Sequence, residues 1–238
     1  MEPKFDIEVY SDGADINDML TDAKRDYVTG FTTNPSLMKK AGITNYLEFA
    51  KNAIKELPDY GISFEVFGHD NETMKKEAAI ISALGDNVFV KIPILLADGT
   101  SNAPLIHDLS HAGIKVNVTA ISTIEQVQQT VDNLDDDVPA LVSIFVGRVA
   151  DTGQDPTEFV KQSVELTKPH PNAKLLWAST REVINVYQAQ DMGVDVITVP
   201  PAILAKLGKV GKSSYQVSVD TVKGFDKDIS SLGFSILD

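Results

Sequence analysis

Val88-Phe89-Val90-Lys91-Ile92-Pro93-Ile94 is the stretch that decides how this chain is read. An apolar run of this length reads as a strand buried on both faces, and Lys91 is its one charge. Burying an ammonium group costs several kcal/mol unless it is paired or loses its proton. A lysine without its proton is a nucleophile, and its usual partner is a carbonyl carbon, giving a Schiff base. The plain alternative is a lysine that snorkels to water or pairs with a carboxylate.

Outward from this run, a strand pattern followed by a helix pattern repeats along the chain. Strands are expected at Phe5–Asp12, Val28–Asn34, Ile62–Gly68, Val88–Ile94, Lys115–Ile121, Leu141–Gly147, Leu175–Arg181 and Val196–Pro200. The spacing predicts amphipathic helices over Asn45–Leu57 and Glu72–Leu84, with others at Ser122–Leu134 and Arg181–Met192. Asp155-Pro156-Thr157-Glu158 reads as a helix start, with Asp as cap and Pro in the first turn. Ser214–Leu232 is expected to form a helix beyond the last strand. Eight such units in 238 residues predict an α/β fold, a single (β/α)8 barrel over residues 1–238 with an additional C-terminal helix. A doubly wound sheet fits less well. Its glycine-rich phosphate turn should follow the first strand, and Tyr10-Ser11-Asp12-Gly13-Ala14-Asp15 holds one glycine. Gly208-Lys209-Val210-Gly211-Lys212-Ser213 imitates the end of a P-loop, but Lys206 occupies the place of the motif's first glycine and no strand precedes it.

Side chains alternate between the two faces of a strand. In a barrel the outward face packs on helices and is apolar, so the polar set should face inward. That assigns Asp12 with Tyr10, Asn34 with Thr32, Glu65 with Ser63 and Phe67, Lys91 with Phe89, Asn117 with Thr119, Ser143 with Phe145, and Ser179 and Arg181 with Trp177. These residues cluster towards the C-terminal strand ends, where such barrels build their sites. Ser143 with Arg148, and Ser179 with Arg181, form serine–arginine pairs on adjacent strands. Guanidinium and hydroxyl donors together suit a phosphate, although either arginine alone could be a surface ion pair. The inventory reads as Schiff-base chemistry on a phosphorylated carbonyl compound.

Composition narrows the partners. Hydrophobic residues make up 43% of the chain, enough for one large core, and the formal net charge is −13. A nucleic-acid partner or an anionic membrane is not expected against that charge. There is no cysteine, which rules out disulfide and thiolate chemistry. Met1-Glu2-Pro3-Lys4-Phe5-Asp6 lacks the basic start and apolar stretch of a signal peptide, and no apolar run reaches membrane-spanning length. A cytoplasmic protein is expected. His107 and His111 stand four apart on a predicted helix without a third ligand, so a solvated face is expected there and no metal site. His69 and His170 carry no motif.

Thr32-Thr33-Asn34-Pro35-Ser36-Leu37, Val90-Lys91-Ile92-Pro93, Val116-Asn117-Val118-Thr119 and Phe145-Val146-Gly147-Arg148 resemble signature segments of the transaldolases. Ala178-Ser179-Thr180-Arg181 and Thr198-Val199-Pro200-Pro201 fit less closely. The resemblance runs from about Tyr10 to Leu207, and the length is like that of the short members, which include the fructose-6-phosphate aldolases. It implies that Lys91 forms the Schiff base with a donor ketose. Asp12 would take the proton from the hydroxyl whose loss breaks the carbon–carbon bond. Glu65 would serve proton transfer through a water that Thr119 helps to hold. Asn34 and Asn117 would bind hydroxyls of the three-carbon unit with Ser179 close by. Arg148 and Arg181 would hold the phosphate, with Ser143 and Phe145 lining the site. No cofactor or metal is implied, because the protonated imine is itself the electron sink. Sugar phosphates are the implied small-molecule partners, and a homo-oligomer, a dimer or a pentamer-based ring, is expected.

Departures from the family pattern include Ile144 where proline is usual, Gly13 where threonine is common, Thr180 in place of phenylalanine beside the phosphate, and Glu182 adding a negative charge near Arg181. Three functions compete. They are transfer of a dihydroxyacetone unit between sugar phosphates in the pentose phosphate pathway, release of dihydroxyacetone by a lyase, and a non-catalytic sugar-phosphate-binding barrel. Glutamate at 65 and phenylalanine at 145 are like the transferases, since the aldolase members have glutamine and tyrosine there. Retention of Lys91, Asp12 and Glu65 together argues against the third reading.

Overall fold

A computed structural model describes residues 3–237. Met1 and Glu2, which open the stretch read for a signal peptide, and Asp238 lie outside the described residues. The chain forms a closed barrel of eight parallel strands in sequence order. The strands are β1 (Glu8–Asp12), β2 (Val28–Thr32), β3 (Gly61–Glu65), β4 (Val88–Pro93), β5 (Val116–Ile121), β6 (Ala140–Ile144), β7 (Ala173–Trp177) and β8 (Val196–Val199). Helices fill the connections: α1 (Ile16–Asp22), α2 (Pro35–Lys40), α3 (Tyr46–Glu56), α4 (Asn71–Ser82), α5 (Ala103–His111), α6 (Ile124–Val131), α7 (Val146–Ala150), α8 (Thr157–Thr167) and α9 (Ile184–Asp191). α10 (Pro201–Leu204) and a 3-10 turn follow β8, and α11 (Ser214–Leu232) closes the chain.

Local signals place these helices. At α4 the Asp70 side chain accepts from the Thr73 backbone N–H, and Met74, Ala78 and Ile81 recur on one buried face. At α6 Thr123 and Gln126 form a reciprocal capping box ahead of buried Val127 and Val131. At α8 the helix begins one residue later than Asp155 as cap would place it, with Pro156 in that position, yet the Asp155 carboxylate still accepts from the Thr157 N–H at 2.9 Å. The outward strand residues, among them Phe31, Phe64, Ile92, Val118, Ile144 and Trp177, join these helix faces in the main core.

Inside the barrel a second, smaller cluster of Tyr10, Leu141, Leu176, Ala178 and Val196, with Phe89 and Phe145 against it, forms an apolar floor. Tyr10 has room there because β2 offers Gly30 opposite it; a methyl group at that position would sit 2.6 Å from the Tyr10 ring.

Two expectations change. The strands end earlier than the apolar runs, so Asn34, Phe67, Arg148, Ser179 and Arg181 lie beyond them, and Phe67 is exposed and packs on Tyr46. On β7 and just past its end the inward residues are Leu176 and Ala178, while Trp177 faces the helices. Register explains this: Leu176 lies beside Ser143 of β6 and Val196 of β8, which both face inward. His107 and His111 sit on an exposed face of α5, where the His111 ring bonds the His107 carbonyl at 3.0 Å.

α11 has no buried residue. Tyr215, Val222, Phe225, Ile229 and Leu232 recur along one side of it and stay largely exposed. Among the described residues, no helix is long and apolar enough to cross a membrane.

Candidate active site

The C-terminal strand ends enclose a cavity of about 470 Å3, and every site residue named from the sequence lines it. Strand register assembles its centre. Glu65 lies beside Lys91, and Lys91 beside Asn117, so β3, β4 and β5 present these three side chains in one row. Asp12 ends β1 beside Thr32 of β2.

Lys91 is buried at 6% exposure. Its ammonium donates to the Thr33 carbonyl at 2.9 Å and pairs with Glu65 Oε2 at 3.1 Å. The lysine nitrogen is therefore anchored from two sides, and its first possible proton acceptor is already in contact with it. Asp12 meets the cavity with a partly accessible edge but is enclosed by dense protein. Burial is the strongest influence on it and pushes its carboxyl above the usual aspartate range. Lys91 and a hydrogen bond from Thr32 pull the other way, and Glu65 adds to the rise. A carboxyl raised in this way can hold or release a proton nearer neutrality.

The amides and hydroxyls are built into the walls. Ser143 Oγ donates to Asn117 Oδ1 at 2.6 Å, and Asn117 Nδ2 donates to Ser63 Oγ at 2.9 Å, which fixes the amide's orientation across three strands. Thr119 is buried, and its hydroxyl has no hydrogen-bond partner among the described residues. A buried hydroxyl needs one, so a water or a substrate oxygen suits it. Asn34 is the N-cap of α2: its Oδ1 accepts from the Leu37 N–H at 3.0 Å, with Pro35 at the first helical position. That leaves its NH2 as the group offered to the cavity.

The phosphate-suited pairs are arranged differently from the expectation. Arg148 belongs to α7, exposed, with its guanidinium 4.9 Å over the Phe145 ring. Arg181 follows β7 and is clamped on Asp151 at the end of α7, Nη2 to Oδ2 at 2.5 Å and Nε within 3.2 Å of both oxygens. That pairing holds the Asp151 carboxyl below its usual range. Ser179 reaches the cavity because its backbone is left-handed, with φ +67°, and Ala120 at the β5 bulge has φ +62°. Such conformations cost about 1–3 kcal/mol each in non-glycine residues and concentrate at functional sites. Gly147 makes the Ser179 loop possible, since any Cβ there would lie 1.8 Å from the Ser179 carbonyl oxygen. Thr180 does not wall the cavity. It is buried and donates to the Thr198 carbonyl at 2.7 Å. Glu182 also stays off the lining, and the negative charge at Arg181 comes from Asp151 instead.

Thr32 and Thr198 line the cavity without having been singled out for a role. Val196 and Thr198 alternate with Ile197 and Val199, so the inward face of β8 was readable from its pattern. Asp151 had no such signal, because the contact joins two loops 30 residues apart.

The raised proton affinity of Asp12 has a consequence for stability. Below the ordinary aspartate range both the folded and the unfolded chain carry the proton. As pH rises, the unfolded chain releases it first, and folding must then enclose a carboxylate or retain a proton that solvent would take. Asp12→Asn should therefore be more stable than the parent at neutral pH, and the gain should vanish as pH falls through the ordinary aspartate range. Urea unfolding at neutral pH and at about pH 4 checks this. A variant less stable than the parent at neutral pH would show that attraction to Lys91 outweighs burial.

Comparison with known proteins identifies the family of the chain. Residues 9–236 match the family described as Transaldolase/Fructose-6-phosphate aldolase. A probable transaldolase of Erythrobacter litoralis is 31% identical over 97% of this chain and 100% of its own length. One from Caldicellulosiruptor saccharolyticus is 33% identical over 85% of this chain and 90% of its own. Among solved structures, 3-hexulose-6-phosphate synthase from Salmonella typhimurium superimposes with a TM-score of 0.57 at 15% identity, covering 86% of this chain and 91% of that one, a likeness of fold alone. With its barrel, its buried lysine and a match over nearly its whole length, the chain belongs to the transaldolase/fructose-6-phosphate aldolase family.

Proposed function

We propose that the protein is a transaldolase that moves a dihydroxyacetone unit from a ketose phosphate, sedoheptulose 7-phosphate or fructose 6-phosphate, to an aldose phosphate, a step of the pentose phosphate pathway. The observation that carries this reading is Lys91, buried at the polar end of the cavity with Glu65 in direct contact and Asp12 coupled to both.

The chemistry follows from these groups. Lys91 passes a proton to Glu65 and its free amine attacks the ketose carbonyl carbon. The carbinolamine takes the proton back on its oxygen and loses water, leaving a protonated imine. Asp12 accepts the proton of the hydroxyl beside the scissile bond. The electron pair of the carbon–carbon bond moves into the imine, giving an enamine on Lys91 and a free aldehyde. An aldose phosphate then enters, the enamine carbon attacks its carbonyl, and Asp12 returns the proton to the new hydroxyl. Hydrolysis of the second imine frees the enzyme. Asn117, locked by Ser63 and Ser143, and the free NH2 of Asn34 suit the hydroxyls of the three-carbon unit. Borohydride added with fructose 6-phosphate should fix a three-carbon adduct on Lys91, read by peptide mapping. An adduct on another lysine, or none from an active enzyme, removes the assignment.

Transfer is favoured over release by the wall beside Ser143. Release of dihydroxyacetone requires protonation of the enamine carbon and then hydrolysis. Phe145 presents an apolar ring covered by Arg148 and offers no proton donor there. Phe145→Tyr should raise the rate of glyceraldehyde 3-phosphate formation from fructose 6-phosphate without acceptor and lower transfer to erythrose 4-phosphate. If the parent already cleaves fructose 6-phosphate equally fast with and without acceptor, the protein is a lyase.

The two arginines should differ. The charge of Arg181 is already answered by Asp151, whereas Arg148 rests on a ring. Arg148→Ala should raise KM for a phosphorylated donor by roughly tenfold or more, the scale of a lost charge-assisted bond, and Arg181→Ala by less. Neither should much affect an unphosphorylated donor, and equal losses with both donor types would make the arginines structural.

A further inference from the structure

Three hydroxyl and carboxyl groups at the closure of the barrel form a line. Thr32 Oγ1 lies 2.8 Å from Asp12 Oδ1 and 2.5 Å from Thr198 Oγ1. Both threonines are buried, and they come from β2 and β8, the two strands that flank β1. An ionised carboxylate can only accept. The contact at 2.8 Å therefore takes the single hydroxyl proton of Thr32. Thr32 then has only lone pairs to offer Thr198, so Thr198 must be the donor in the second contact. The direction is fixed by proton counting. The position of Thr198 is fixed in turn, because its own carbonyl accepts the Thr180 hydroxyl at 2.7 Å. The other Asp12 oxygen has no hydrogen bond from the protein among the described residues and is left for the cavity.

We propose that Thr198 and Thr32 are positioning residues forming a one-way hydrogen-bond relay, Thr198 to Thr32 to Asp12 Oδ1, that orients the Asp12 carboxylate and sets its proton affinity. The charged groups that face Asp12 are Lys91 from β4 and Glu65 from β3, with Arg148 and Arg181 at the rim of the same cavity. Burial and Glu65 make the anion costly, and Lys91 offsets them with a charge that the reaction itself alters. Thr32 supplies a neutral donation that does not change when Lys91 becomes an imine. Thr198 strengthens it by polarising the Thr32 hydroxyl. Reversing the line, with a protonated Asp12 donating to Thr32 and Thr32 to Thr198, would leave the Thr198 hydroxyl proton without an acceptor in the line, so the arrangement favours the ionised carboxylate.

The proposal rests on the Schiff-base reading only for what Asp12 does with its proton, so the test needs no substrate. The chain is prepared with carboxyl-labelled aspartate, and the Asp12 band is titrated by infrared difference spectroscopy with Asp12→Asn as the blank. Thr32→Val, which keeps shape and removes the donor, should raise the Asp12 titration by about one pKa unit, a tenfold change in proton affinity. Thr32→Ser should return it to the parent value. Thr198→Val should shift it the same way by less, and the double valine variant should match Thr32→Val alone, since Thr198 acts only through Thr32. An unmoved titration in Thr32→Val, or additive shifts from the two sites, overturns the relay. The acid limb of the pH profile for transfer should move with the infrared titration. A shifted titration in a chain that traps no ketose supports the relay and removes the proposed reaction. An unmoved titration in an active enzyme removes the relay and leaves the reaction standing.

Discussion

A buried ammonium group cannot be left unanswered, and the upper half of this barrel is organised around answering one. Lys91 is held by a carboxylate from the strand on one side and by a backbone carbonyl from the turn after β2. Removing either partner from a buried pair exposes the cost of the other charge. That is why Glu65 and Lys91 must arrive in register, and why parallel neighbours at the same height supply them. The pair is also what makes the lysine useful. An isolated buried lysine would sit neutral with nowhere to send protons. A paired one has a carboxylate in contact to which a proton can pass.

The geometry around this pair is maintained at a cost in strain and in lost side chains. Two non-glycine residues, Ala120 and Ser179, take left-handed backbone at the ends of β5 and β7. Gly147 and Gly30 give up their side chains to close approaches, one from the Ser179 carbonyl and the other from the Tyr10 ring. The floor of Tyr10, Phe89, Leu141, Leu176 and Val196 beneath the polar row carries out the opposite task. It fills the barrel with apolar volume, so the polar groups above it lie against a low-dielectric surface on one side. Electrostatic effects among Asp12, Glu65 and Lys91 are strengthened by that surface.

How far all this could be read in the sequence depends on whether a residue's position follows from its near neighbours. Lys91, Asn117, Thr119, Ser143, Asp12 and Glu65 sit where strand alternation still holds, the β5 bulge at Ala120 falling just past Thr119, and strand periodicity is enough to turn each inward. On β7 the same rule misassigned Trp177, because polar Ser179 and Arg181 were allowed to set the face and the strand ends before them. The left-handed Ser179 breaks the alternation, and nothing local announces such a residue when it is not glycine. Arg148 was placed on a strand end and lies on a short helix, since Val146 through Ala150 satisfy strand and helix patterns equally well. The Asp151 clamp and the Thr198 contact depend on which loops and strands meet in three dimensions. The second depends on β8 returning to β1, the last step of barrel closure.

The overall charge sharpens what the arginines must do. At −13 the chain repels small anions at long range. At physiological ionic strength that field is screened over about 8 Å, so a phosphate is repelled mainly during its final approach. An anion at the cavity rim would then be held by local contacts, and guanidinium groups and fixed donors are there to make them. Of the two arginines there, Arg181 is tied to Asp151, whose carboxylate cancels most of its reach but holds its guanidinium plane in place against the Ser179 carbonyl. Arg148 stacks on Phe145 and acts on Asp151 only as a neighbouring charge, without a direct ion pair among the described residues. A rim with one guanidinium tied to a carboxylate and one stacked on a ring offers an anion two differently held donors.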